Sequence, residues 1–79
     1  MPLITTSKQI GIALSARRKS LALSQAQTAQ KLGLSQNRLS ELETHPETMT
    51  VDQLLALCGV LGLEIQMSER GAAKHKAEW

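Results

Sequence analysis

The fold is decided by residues 23–43, LSQAQTAQKLGLSQNRLSELE. Ser24 and Ser35 are good helix N-caps, and Gly33 between them accepts the left-handed backbone found at helix ends. The spacing predicts a short helix over 25–32 and a second from 36 to 43 or 44. Neither helix is long enough to be stable alone, so the pair predicts a helix-turn-helix in which leucines hold the second helix against the first.

Capping residues and apolar spacing predict two further helices. Ser7 is the predicted cap of a helix that runs to about Lys19, and Thr50 is the predicted cap of a helix that ends at Gly62. Residues 45–49, around Pro46, are predicted to form a loop. The inner face predicted for the last helix consists of Val51, Leu54, Leu55, Cys58 and Leu61.

The apolar period changes from helical to two after Gly62. Leu63, Ile65 and Met67 alternate with polar residues, which predicts a β-strand over 63–68. A lone strand leaves its backbone groups unpaired, so we expect the same strand of a second subunit to pair with it across a two-fold axis. The three apolar residues are therefore the predicted interface of a homodimer.

The composition fits an all-α domain over residues 4–69 followed by a flexible tail, 70–79. Apolar residues make up 42% of the 79 residues, yet the chain has one Trp and no Phe or Tyr, which favours packed helices. The single Cys excludes an internal disulfide. No membrane span or secretory signal is apparent, which predicts a cytoplasmic, nucleoid-associated protein. Trp79 is either disordered, a hydrophobic plug for a partner or a degradation signal.

Charge is distributed unevenly along the chain. Residues 1–40 carry +6, from Lys8, Arg17, Arg18, Lys19, Lys31 and Arg38. Residues 41–69 carry −6, from Glu41, Glu43, Glu47, Asp52, Glu64 and Glu69. Such asymmetry indicates contact with a polyanion such as DNA, although a solvated surface with chance clustering is the alternative.

Residues 23–43 resemble the helix-turn-helix of the Xre/Cro/repressor family, and the resemblance extends over about 10–63. The fold that it implies is a bundle of four to five helices with the short C-terminal strand paired across a homodimer. Within the family the chain is most similar to HipB-type antitoxins, in the loop 43–50, the helix after it, the 63–67 strand and the tail. Thr28 departs from the family, which usually has an aliphatic residue there.

The resemblance implies that the helix from Gln36 lies in the major groove of DNA, with its first residues at the base edges. Gln36 and Asn37 each offer the paired donor and acceptor that adenine requires. Ser40 and Glu41 are weaker candidates for base contacts, and Glu41 could accept a hydrogen bond from cytosine. Amide side chains are also common on ordinary protein surfaces, so exposure alone would not assign this role.

Contacts to phosphate are expected from residues near the helix ends and in the first helix: Gln25, Ser35, Arg38, Thr44 and Arg17. Ser35 is expected to act as a cap as well. Arg18 matches the family position that pairs with the acid ending the recognition helix, here Glu43. The resemblance thus implies a structural ion pair between the first and third helices.

No catalytic constellation can be assembled from this sequence, so we expect no enzyme activity, cofactor or metal. His45 and His75 have no metal-ligand spacing with each other or with Cys58. The function predicted is a homodimeric repressor of a pseudo-palindromic operator in double-stranded DNA, acting as antitoxin to a HipA-like Ser/Thr kinase. The alternatives are a stand-alone phage-type repressor and a protein-binding antitoxin or accessory module with little DNA contact.

Overall fold

The computed structural model describes residues 3–70, and these form four α-helices and one short 3-10 turn. None of the helices in this part of the chain is long and apolar enough to cross a membrane. The all-helical fold predicted for the bundle is confirmed. In chain order the elements are α1 (Ser7–Ser20), α2 (Gln25–Leu32), α3 (Gln36–Thr44), the 3-10 turn (Pro46–Thr48) and α4 (Val51–Leu61).

Side-chain caps begin every α-helix. The predicted caps Ser24, Ser35 and Thr50 are confirmed, and each hydroxyl oxygen accepts a backbone N–H at 3.0–3.1 Å. The prediction for α1 is wrong by one residue, because Thr6 and not Ser7 is the cap. Gln9, three residues after Thr6, accepts the Thr6 N–H at 3.0 Å through its side-chain oxygen, whereas Ser7 has an isoleucine at that spacing.

Glycines end α2 and α4 as predicted. Gly33 and Gly62 have φ angles of 70° and 67°, which an L-residue with a side chain adopts only at a cost. Beyond Gly33, the Leu34 N–H donates to the Ala29 carbonyl at 2.9 Å. The turn is thereby bonded to the last turn of α2, which sets where α3 begins.

The core lies where the four helices meet. Leu14, Leu39, Leu57 and Leu61 come from α1, α3 and α4, and all are almost fully buried. Ala29 of α2 is 1% exposed, and its small side chain allows α3 to pack closely on α2. The short helices are therefore stabilised by tertiary packing more than by their own propensity.

Thr28 is accommodated in the core although the family resemblance implies an aliphatic residue at its position. Its side chain is fully buried, and its hydroxyl donates to the Ser24 carbonyl at 3.0 Å. The polar atom is satisfied inside α2, so the substitution leaves no unpaired donor in the interior.

The inner face of α4 differs from the predicted one. Leu54, Cys58 and Leu61 face the core as predicted, but Leu57 is the residue that completes this face. Val51 and Leu55 were expected inside and are 71% and 52% exposed. Because α4 is apolar nearly all round, its sequence fits two overlapping faces, and packing against α1 and α2 selects one of them.

The predicted loop after α3 contains the 3-10 turn, and Pro46 is buried against α1. A β-carbon at Gly11 would overlap the Glu43 carbonyl oxygen and lie 3.0 Å from Pro46 Cγ. Glycine at this position therefore allows α1 to lie directly against the end of α3 and the turn.

Residues 63–69 have no regular secondary structure in the single chain. Leu63 packs partly against the core, whereas Ile65 and Met67 are exposed. The predicted strand requires a second subunit, so its pairing stays a prediction. Residues 71–79, which include His75 and Trp79, lie outside the described residues, and the predictions for the tail concern that part.

Candidate nucleic-acid interface

The helix α3 is held by its apolar side and presents its polar side to solvent. Leu39 and Leu42 are 0% and 1% exposed, and α3 packs against both α2 and α1. Gln36, Asn37 and Glu41 lie on the outward part of the helix and are exposed. One side of this short helix is therefore packed against the other helices, and the opposite side is accessible to a ligand.

Gln36 and Asn37 stand in the first turn of α3, directly after its cap. Neither side chain makes a hydrogen bond within the described residues. Each amide therefore keeps both a donor and an acceptor for an external ligand, and this is the pattern that the major-groove edge of adenine complements.

One turn further along α3, Ser40 is half-buried and Glu41 is exposed. The Glu41 carboxylate Oε1 lies 2.7 Å from Nη1 of Arg38, and the side chains are 60% and 35% exposed. The outward face thus carries a carboxylate and a guanidinium joined to each other. The i,i+3 spacing of Arg38 and Glu41 is the signal in the sequence for such a pair.

A buried ion pair joins α1 to the end of α3. Arg18 Nε lies 2.7 Å from Glu43 Oε2, Arg18 Nη2 donates to Oε1 at 3.1 Å, and the side chains are only 9% and 8% exposed. Arg18 Nη1 also donates to the Leu23 carbonyl at 2.8 Å, and Gln25 Nε2 donates to Glu43 Oε1 at 3.1 Å. The bidentate ion pair and the two hydrogen bonds connect α1, the start of α2 and the end of α3. These contacts fix the direction of α3.

The residues expected to contact phosphate have intramolecular partners as well. The Gln25 amide uses one N–H on Glu43, and the Ser35 oxygen accepts the Arg38 backbone N–H at 3.1 Å. Both keep a hydrogen that could be donated to a phosphate. Thr44 differs, because its hydroxyl hydrogen is donated to the Ser40 carbonyl at 2.9 Å.

Arg17, which is expected to contact a phosphate, has a partner within the chain, and its contact with DNA stays a prediction. Its Nε donates to the Leu61 carbonyl at 2.8 Å, at the C-terminal end of α4. A cation at this position satisfies a carbonyl that the helix leaves unpaired and is favoured by the helix dipole. The contact gives Arg17 a structural role between α1 and α4, which the sequence could not reveal because it depends on tertiary placement.

Metal-binding geometry is absent from the part of the chain that the structure describes: its His, Cys, Asp and Glu side chains form no group of three able to hold an ion. Cys58 lies in the core as predicted, and burial raises the pKa of its thiol. Burial thus favours the thiol over the thiolate, which is the nucleophilic form. His45 is exposed and lies 3.3 Å from Glu47 through Nδ1.

The chain matches the model of a helix-turn-helix family over residues 14–67, which is more than half of its length. The chain belongs to the Xre-type helix-turn-helix family. No curated protein matches the chain. The matched stretch begins inside α1 and includes α2, α3 and α4 in full.

Membership in the helix-turn-helix family identifies the chain as a DNA-binding regulator. In this motif the second helix enters the major groove and the first crosses the backbone. α3 is the second helix of the motif and therefore the candidate recognition helix, and its exposed side carries Gln36 and Asn37.

Proposed function

We propose that the chain is a sequence-specific transcriptional repressor that inserts α3 into the major groove of its operator. The observation that carries the proposal is the exposure of Gln36 and Asn37 on the first turn of a helix whose other side is buried. Both amides are unpaired within the described residues, so binding DNA would not require them to give up existing hydrogen bonds. A good bidentate amide contact discriminates between bases by about 1–3 kcal/mol.

Contacts to the phosphates are assigned to Gln25, Ser35 and Arg38. Gln25 and Ser35 lie at the starts of α2 and α3, where backbone N–H groups favour an anion. Both lie within the +6 segment of residues 1–40, which supplies a sequence-independent attraction to DNA. Thr44 is a weaker candidate, because its hydroxyl hydrogen is already used.

The repressor is proposed to act as a homodimer joined by antiparallel strands over 63–68. Ile65 and Met67 are 48% and 93% exposed in the single chain, so both apolar side chains remain available to a partner. Two subunits around a two-fold axis would place their recognition helices about 34–36 Å apart, one turn of DNA. The operator is therefore proposed to be pseudo-palindromic.

The finer proposal is that the repressor is the antitoxin of a HipA-like Ser/Thr kinase and regulates the operon that encodes both. Its support is the HipB-like layout of residues 43–50 and 63–67, together with the −6 charge of residues 41–69, which suits a basic partner. A kinase-like reading frame beside the gene, whose product copurifies with this chain, would support it. A gene without such a neighbour would favour a stand-alone repressor.

The DNA-binding function is tested by selecting binding sites from a library of randomised duplexes and measuring affinity over a range of salt concentrations. We expect a symmetric site to emerge, with a binding constant that falls linearly on a log–log plot by about 0.9 per phosphate contacted. Binding without a preferred site or without this salt dependence would contradict the proposal and favour a module that binds protein.

A further inference from the structure

We propose that the Arg38–Glu41 ion pair makes one phosphate contact of α3 conditional on the base sequence; this inference rests on the proposed function. In this arrangement Glu41 is a specificity-determining residue. On arbitrary DNA, Glu41 keeps Arg38 in the ion pair and away from the phosphate. Where a cytosine amino group can donate to Glu41 in place of Arg38, the guanidinium is free to bind the phosphate. The pair therefore acts by weakening binding to wrong sites more than by strengthening binding to the right one.

The geometry supplies the first step. Arg38 Nη1 and Glu41 Oε1 are 2.7 Å apart on the outward part of α3. Glu41 is four residues after Asn37, so the two side chains lie on the same face of the helix. The carboxylate that holds Arg38 is thus placed one turn beyond a residue expected to reach a base.

The charges supply the second step. The other carboxylate of α3, Glu43, is buried and bonded to both Arg18 and Gln25. Glu41 has one charged partner among the described residues, Arg38. If Arg38 moved to a phosphate on arbitrary DNA, an exposed carboxylate would be left unpaired beside a polyanion, and its repulsion would offset the new contact.

A cytosine in the operator changes this balance. Its N4 amino group is a donor in the major groove that a carboxylate can accept. Once Glu41 accepts that hydrogen bond, its charge is compensated and the guanidinium can turn to a phosphate. An exposed pair at i,i+3 spacing is weak, so it can open when both partners gain new ones.

The test compares Glu41→Gln with wild type on the selected operator and on an unrelated duplex of the same length. Glutamine keeps an oxygen that can accept from cytosine but removes the charge that holds Arg38. Glu69→Gln is the matched control, since it removes one charge from an exposed side chain that lies outside both α3 and the proposed strand and has no hydrogen bond in the described residues. Circular dichroism melting of each variant establishes that α3 is intact.

Relative to Glu69→Gln, we expect Glu41→Gln to bind the unrelated duplex about fivefold more tightly, with a salt slope steeper by about 0.9 per protomer. Affinity for the operator should change less, so the ratio of specific to non-specific affinity falls. Equal behaviour of the two variants would overturn the inference, and so would a loss of affinity for both duplexes in Glu41→Gln.

A double-mutant cycle with Arg38→Gln decides whether Arg38 carries the effect. In that background Glu41→Gln should leave the salt slope on unrelated DNA unchanged. If Glu41→Gln still raises the affinity for unrelated DNA when Arg38 is replaced, the inference is overturned in favour of simple repulsion between Glu41 and the phosphates. If wild type shows no preferred site, the proposed function fails together with the inference, whereas a wild-type preference with any of the contrary variant results overturns the inference alone.

Discussion

The segment from α1 to α3 and the segment from α4 to residue 70 differ in how completely a single chain pairs their charged groups and buries their apolar side chains. In the first, the buried arginine has a carboxylate partner and the outward face of α3 is polar, although Ile12 of α1 is 60% exposed. In the second, Val51, Leu55, Ile65 and Met67 leave apolar side chains in water. The ion pair that holds α3 is complete within one chain, whereas Ile65 and Met67 would be covered only in the proposed homodimer.

The largest expected effect is on the recognition unit itself. Replacing Glu43 by Ala leaves Arg18 charged, buried and without its carboxylate, which we expect to lower the free energy of unfolding by about 3–5 kcal/mol. Urea denaturation measures the loss. Glu41→Ala removes an exposed carboxylate from the same helix and should cost much less. Equal losses in the two variants would contradict the role given to the buried pair.

Two glycines provide the next contrast between the segments. A β-carbon at Gly11 would overlap the Glu43 carbonyl oxygen, so Gly11→Ala should destabilise the fold by about 1–3 kcal/mol. Gly59 lies inside α4 with nothing within 4 Å of a β-carbon, so Gly59→Ala should stabilise the chain by about 0.5–1 kcal/mol. Thermal melting of both variants checks the two signs. A stable Gly11→Ala variant would show that α1 is not pressed against α3.

The predicted role of the C-terminal segment is tested by measuring the association of two subunits, not the free energy of unfolding. Ile65→Asp places a charge on the apolar side of the predicted strand and should give monomers in sedimentation velocity, with little change in the fold of each subunit because Ile65 is half exposed. Gln66→Asp adds the same charge on the other side of the strand and should leave the dimer intact. A dimer that persists in Ile65→Asp would refute pairing through residues 63–68.

The parts of the fold that follow from local chemistry were predictable from the sequence. Both ends of α2 and α4 and the start of α3 lie where they were predicted, because caps and left-handed glycines act within a few residues. The residues at these ends are the N-caps Ser24, Ser35 and Thr50 and the C-caps Gly33 and Gly62. The predicted cap of α1 is wrong by one residue, because Gln9 completes a capping box with Thr6 and not with Ser7.

Features set by tertiary packing were not predictable in the same way. The apolar sequence of α4 fits two faces, and only its neighbours select the one with Leu57 inside. A long cation such as Arg17 can reach many partners, so its bond to the Leu61 carbonyl does not follow from the sequence. At the candidate site, the exposure of Gln36 and Asn37 follows from helical spacing, whereas the role of these amides on DNA remains a prediction.

The most direct measurement of the central claim is a footprint of the double variant Gln36→Ala/Asn37→Ala on the operator selected with wild type. Both side chains are exposed, so we expect the melting temperature to stay nearly unchanged. Gln30→Ala removes an exposed amide from α2 and should keep the wild-type footprint. We expect the double variant to bind DNA without protecting the operator. Protection of the same site by the double variant would contradict it.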